Sequence, residues 1–364
     1  MQFPMLQETA QYREMTSVFG GYNHQLSCQE GQFFDMKNMT SQYYPILSPR
    51  QNRGIVKSFN NPQGILDKED VLWIDGNKLY INGEEKTLEG VTIKDGTKSL
   101  AKMGAFVIIM PDKIWYNVEK NECGDMENVF RHKDVFDEEK DGVSTHIVFS
   151  LCDANGKVID YFDPSYYETH TPVDGDYMMS TKNGKPSLKV YAASSKTWLT
   201  VATTYIQISS TGIGKGFEKE DGVKITTSSL KDAYGNSLEY IFVNEEEDGT
   251  WSTNTWIMDK TDDSITIPGL FKATNHTKLE EFTMKFVVER KTPDLEFITE
   301  CNNRLWGCST DGHEIYCSKL GDVKNWNCFR GASTDSWAAT IGSDGKFTGA
   351  ITYLGYPMFF KEDS

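Results

Sequence analysis

Four cysteines, Cys301, Cys308, Cys317 and Cys328, crowd the last quarter of the chain and form its densest set of soft metal ligands. Zinc knuckles bring two thiolates to one ion from positions two to four residues apart. The separations here are 7, 9 and 11 residues, so the pattern reads as small apolar side chains inside strands. The six histidines, at positions 24, 132, 146, 170, 276 and 313, contain no His-x-His or His-Glu-x-x-His arrangement, and no catalytic metal has a ligand set. His313 sits with Asp311 in a hairpin turn, where solvent is the expected partner.

Other chemistries fare no better. The nucleophile-elbow pattern Gly-x-Ser-x-Gly is absent, and Ser309 in CSTDG has no identifiable base. TGIGKGF, residues 211–217, lacks the Lys-Ser/Thr ending that a phosphate loop needs to reach phosphate and Mg²⁺, and reads as a glycine-rich loop. Fifty-three carboxylates make acidic pairs commonplace, so a pair is not by itself the acid and base of a glycosidase. DEEKDG and DGDY do not supply the spaced ligands of a calcium loop, and EEEDGTWSTNTW lacks the Ser-x-Asp-x-Gly of an Asp-box turn. Asn38 and Asn275 head glycosylation sequons that matter only in a secretory pathway. The expectation is a protein without catalytic residues, metal or cofactor.

The elements that would position side chains are strands. In DVLWIDGNKLYING, Val71 to Ile74 and Leu79 to Ile81 flank a turn at Asp75-Gly76-Asn77, and a second turn follows at Asn82-Gly83. KMGAFVIIMPDKIWYNVEKN repeats the scheme, as do NNRLWGCSTDGHEIYCSKLGDVKNW and GAITYLGYPMFFKED. Strand–turn–strand units without helical partners indicate a sandwich or a radial repeat. From Val143 to Val288 the texture changes, with HIVFSLCDANGKVIDYF, TYIQISSTG, VKITTSS and DSITIPGLF reading as strands spaced by Ser, Thr, Lys and Asp. The Val, Thr and Tyr content of residues 177–208 favours strand there too. No long amphipathic helix is written anywhere, so the chain is all-β.

Composition sets outer bounds. A chain of 364 residues with 12% aromatics buries several cores, and its charge of −16 opposes adhesive binding of nucleic acid. Seven cysteines, an odd number at low density, argue for reduced packed thiols. There is no apolar run of 18 residues and no signal-like start, so no membrane insertion is expected.

Two segments resemble a known family. Gly20-Gly21-Tyr22-Asn23, Glu30-Gly31-Gln32, Asp35 to Met39, Leu47-Ser48-Pro49-Arg50 and Arg53-Gly54 stand in the order that opens the β-propeller tail and neck proteins of tailed bacteriophages. These are the tail nozzle, tail hub and stabilisation proteins. Asn303-Arg304-Leu305-Trp306-Gly307, followed by Tyr316, Ser318, Gly321-Asp322 and Trp326, is similar to their blade motif, and Tyr356 to Asp363 is similar to the strand pair after it. The resemblance implies a propeller-like body in which Asn303 and Arg304 enter an inner strand, with the motif residues structural.

The chain accordingly divides into an extended N-terminal arm (1–54), first blades (55–142), an inserted antiparallel β-sandwich (143–288) and further, truncated blades (289–364). Gly21, Asn23, Phe33, Phe34, Asn38, Tyr43, Tyr44 and Arg50 of the arm are the expected assembly contacts. The implied function is structural: a nozzle-like or hub-like virion component, assembled in the bacterial host cytoplasm. It forms a ring with itself and other tail or neck proteins and passes DNA through an acidic lumen without holding it. A second reading is a tail-tip protein presenting Trp251 and Trp256 to a host glycan, and a third is a propeller glycosidase.

Overall fold

The computed structural model describes residues 15, 17, 19–40, 42–44, 46–55, 57–132, 147–182, 184–231, 236–272 and 285–362. Residues 137–142 and the sequon at 275–277 therefore lie outside the described residues. Two compact units divide between Phe59 and Asn60.

Among its described residues the first unit, residues 1–59, has strands of only two residues. β1 (Gly21–Tyr22) pairs in parallel with β2 (Gln32–Phe33), and β3 (Met39–Thr40) pairs antiparallel with β4 (Ser48–Pro49). Its chain folds back on itself through side chains as well: the Asn23 amide donates to Gln32 Oε1 at 2.8 Å, and its carbonyl-side oxygen Oδ1 accepts from the Gln25 backbone at 2.9 Å.

The second unit opens with a four-stranded antiparallel meander: β5 (Pro62–Lys68), β6 (Asp70–Asp75), β7 (Lys78–Ile81) and β8 (Glu84–Lys86). Asn82 and Gly83 join β7 to β8 with positive φ at both positions, 51° and 97°, the geometry that a right-twisted two-residue hairpin demands. A second meander follows: β9 (Ser99–Met103), β10 (Phe106–Met110), β11 (Ile114–Asn117) and β12 (Glu122–Asp125).

The chain then leaves this series. β13 (Asn128–Arg131) pairs with a strand far downstream, so the intervening sheets begin at Asn128 and not at Val143. The sequence NVFR carries no mark of a partner 160 residues away, which is why it reads locally as one more strand of the preceding series. The segment continues with β14 (Val148–Cys152), β15 (Tyr161–Phe162), a 3₁₀ turn at Pro164–Glu168, β16 (Tyr177–Lys182), β17 (Lys185–Ala192), β18 (Thr197–Thr200) and β19 (Tyr205–Ser209). It closes with β20 (Gly222–Thr227), β21 (Asn244–Glu245), β22 (Trp251–Trp256), β23 (Asp259–Thr261), β24 (Ser264–Pro268) and β25 (Phe286–Arg290).

Where an antiparallel sandwich of two sheets was expected, three sheets share one core. Their orders are β13-β25-β20-β22-β21, β14-β19-β24-β23 and β15-β16-β17-β18, and the β15–β16 pair is parallel. Phe149, Ile206, Ile225, Ile265 and Phe286 meet there with Tyr161, Met179 and Leu188.

The meander series then resumes with β26 (Phe297–Glu300), β27 (Leu305–Cys308), β28 (Glu314–Cys317) and β29 (Trp337–Thr340), and ends in a hairpin, β30 (Phe347–Tyr353) and β31 (Tyr356–Lys361). Separate apolar layers lie between successive sheets. Leu72, Ile74, Val107, Ile109 and Tyr116 join the first two, Ile108, Met110, Leu305 and Trp326 join the second to the third, and Cys308, Ile315 and Phe347 join the third to the last hairpin. The leading strands of consecutive sheets are neighbours: β5 beside β9, β9 beside β26, β26 beside β30. Gly64 on β5 is required by this approach, since a Cβ there would lie 2.7 Å from the Lys98 carbonyl.

Candidate functional site

Three places gather the side chains that could act, and each can be built from its residues. The first is the cleft of about 610 Å³ lined by the four leading strands β5, β9, β26 and β30. Hydrogen bonds step from one strand to the next around it. The Lys98 backbone donates to Gln63 O at 2.8 Å, Ile298 donates to Ser99 Oγ at 3.1 Å, and the Thr299 and Thr352 hydroxyls meet at 2.9 Å.

Its charged lining is balanced, Asp67, Glu296 and Glu300 against Lys68, Lys98 and Lys102. Each lysine is tied to a carboxylate: Lys68 to Glu300 at 2.5 Å, Lys98 to Asp112 at 3.0 Å, Lys102 to Asp70 at 2.5 Å. The Lys98–Asp112 pair is buried on both sides, with 2% and 3% exposure. Such a wall offers no unengaged cation to a phosphate, and the chain's excess of carboxylates is not concentrated in it.

The second place is the motif segment. Sequence resemblance puts Asn303 and Arg304 at an inner strand, yet the strand that neighbours the adjoining sheets is β26, Phe297–Glu300, and the motif enters the second strand, β27. The reason is local: EFITE carries no turn signature of its own, while NNRLWG does. Around β27 the motif residues hold one another. Arg304 donates through Nη1 to the carbonyls of Ser318 (2.9 Å) and Asp335 (2.6 Å) and through Nη2 to Ser333 O (2.6 Å). The Leu305 amide donates to Ser318 Oγ at 3.0 Å, and Gly321 N to Asn303 O at 2.9 Å. Trp306 meets Trp337 edge-on at 5.8 Å, while Trp326, buried, donates from Nε1 to Val323 O at 3.0 Å. Tyr316 packs at the margin of the same core, and Asp322 Oδ1 accepts from Lys324 N at 3.0 Å.

This loop grips the three-sheet segment through residues that sequence reading missed. Asn325, fully buried, accepts from Gly222 N at 3.1 Å and donates to Glu220 O at 2.8 Å. Gly222 has no room for a side chain, since a Cβ would lie 2.2 Å from Asn327 O. Ion pairs flank the contact: Lys319 and Arg330 with Glu220, Lys324 with Glu218. Hydrogen bonds from Lys319 and Arg330 hold Glu220 below the usual carboxylate range; burial would raise Glu218, but Lys324 outweighs it and the net shift is downward. Beneath them Arg290 binds Asp221 at 2.5 Å with both side chains buried; burial raises the Asp221 pKa against the pull of Arg290. Neither asparagine of KNWNCF carries a mark of this role in the sequence.

The third place is the hairpin β30–β31. Ile351, Tyr353, Tyr356, Met358 and Phe360 fall on one face by alternation and are 41–72% exposed. The other face, with Ala350, Thr352 and Phe359, is turned to the third sheet.

In the first unit, Phe34 stacks on His24 at 4.7 Å and is exposed, as are Tyr43, Tyr44 and Arg50. Phe33 is half-buried against Phe19, and Gly21 and Asn38 take positive φ. Trp251 and Trp256 do not form one platform. They begin and end β22 five residues apart, so alternation sends them to opposite faces; Trp251 packs on the core and Trp256 donates to Met258 Sδ at 3.0 Å.

The cysteines of the last quarter are all buried and free, and burial pushes the Cys308 thiol up to about 12. Among the described residues no group of three or more His, Cys, Asp or Glu side chains could hold a metal, and no helix is long and apolar enough to cross a membrane. No family model, curated protein or solved structure matches the chain.

Proposed function

We propose that this chain is a structural component of a phage tail or head–tail connector, nozzle-like or hub-like, built as a propeller-type succession of sheets. It works by assembly with copies of itself and neighbouring tail proteins. The observation that carries this reading is the apolar outer face of β30–β31. A two-stranded sheet gains little stability alone, and five large apolar side chains on one open face call for a covering partner. The leading strands, side by side around one cleft, are compatible with a propeller-type succession of sheets. A net charge of −16 suits passage of DNA past a wall that does not hold it.

The test is the mass of the purified chain by light scattering together with negative-stain images, for the native chain and for Met358→Asp. Rings of defined copy number that Met358→Asp reduces to monomers are expected. A native chain that stays monomeric alone and with neighbouring tail proteins would overturn the reading.

A further inference from the structure

The sheet β15–β18 treats its two faces differently. Tyr161, Met179 and Leu188 point into the shared core. By the pairing register Phe162 lies beside Met178, Met178 beside Lys189, and Tyr191 beside Trp198, so these residues occupy the opposite face. The 3₁₀ turn Pro164–Glu168 adds Tyr166 and Tyr167 to that face, and His170 follows it. Phe162, Tyr166 and His170 stack as near-parallel rings, 4.2 and 4.0 Å apart at 13° and 3°. Tyr167 meets Trp198 edge-on at 4.8 Å, and Trp198 lies 5.2 Å from Tyr191. His170 is exposed, Tyr191 and Trp198 are half-exposed.

We propose that this aromatic face binds a neutral oligosaccharide. A pyranose ring presents C–H groups on its faces and hydroxyls around its edge. The half-exposed Tyr191 and Trp198 answer both needs, an apolar plane for the C–H groups and an O–H or N–H group for the hydroxyls, while the Tyr167 hydroxyl is already donated to Tyr177 O at 3.3 Å. Carboxylates border the rings at fixed positions. Asp163 caps the 3₁₀ turn by accepting from Ser165 N at 2.9 Å, Asp176 accepts from Val173 N at 2.8 Å, and Asp174 accepts from Ala193 N at 2.8 Å. With Glu168 these carboxylates and the face's own Lys189 give the surface both signs of charge, which suits an uncharged sugar over an ionic one. This site is distinct from Trp251 and Trp256 and does not rest on the assembly reading, because its ligand and its readout are different.

The full chain is titrated with cellohexaose, chitohexaose and maltohexaose by calorimetry and tryptophan fluorescence. Saturable binding of at least one is expected, weakened about tenfold or more by Trp198→Ala, with Tyr191→Ala as a second, milder variant should the first fail to fold. Absence of binding by all three at millimolar concentration would overturn the proposal. Binding that both variants leave unchanged would overturn it equally.

Discussion

The hairpins Phe106–Asn117 and Phe347–Lys361 are written in one idiom, two apolar strands with aromatics on either side of a tight turn, and their surroundings differ sharply. In the first, Val107, Ile108, Ile109 and Met110 are all fully buried, because neighbouring sheets cover both faces. In the second, one face is covered by the third sheet and the other stands open with Ile351, Tyr353, Tyr356, Met358 and Phe360. The difference teaches that burial here is conferred by the next sheet in the series. The three-sheet segment shows the same rule from the other side, since the motif loop and its ion pairs seal it onto the third sheet.

The largest way to break the contrast is to attack a sealed contact. Arg290→Met leaves the Asp221 carboxylate buried without its partner and is expected to cost about 3–5 kcal/mol in urea unfolding; adding Asp221→Leu should recover much of the loss. Full retention of stability in Arg290→Met would show that the pair does not hold the contact.

The contrast itself is sharpened by matched truncations. Ile109→Ala should cost roughly 2–5 kcal/mol through lost burial and a residual cavity. Ile351→Ala in the unassembled chain should stay within about 0.5 kcal/mol. Equal costs would mean that the open face is covered after all.

The smallest effect is acid weakening of the seal. Glu218 and Glu220 have folded pKa values held below the ordinary 4.5, so their contribution is present above that value and is lost as pH falls through the lower folded ones. Asp221, whose pKa burial raises, acts with the opposite sign. Melting temperature is therefore expected to hold down to about pH 4.5 and to fall below it, less steeply in Glu220→Gln.

Sequence reading recovered the all-β class and the four hairpins because their information is local. Asn82-Gly83 dictates a turn wherever it stands, and alternation over four residues marks a strand. It did not recover β26 as the leading strand or β13 as part of the three-sheet segment, since both are defined by partners remote in sequence. The aromatic face was hidden for the same reason: Phe162, Tyr167, Tyr191 and Trp198 are scattered over 37 positions and converge only through the pairing of β15 to β18. Trp251 and Trp256 drew attention by proximity, yet an odd spacing along a strand separates what it brings near. Asn325 stands in the motif beside Trp326, but its bridging role was not legible, because an amide that bridges two backbones has the same spelling as one in solvent.

The three-sheet segment departs and returns through β13 and β25, with Asn128 directly opposite Arg290. Its two ends are thus already side by side, and the host meander series sees 160 residues as if they were a short loop, with little entropic charge for their length. Such a segment is a cassette. It can be lengthened without parting the strands on either side of it, since its two ends stay paired whatever lies between them.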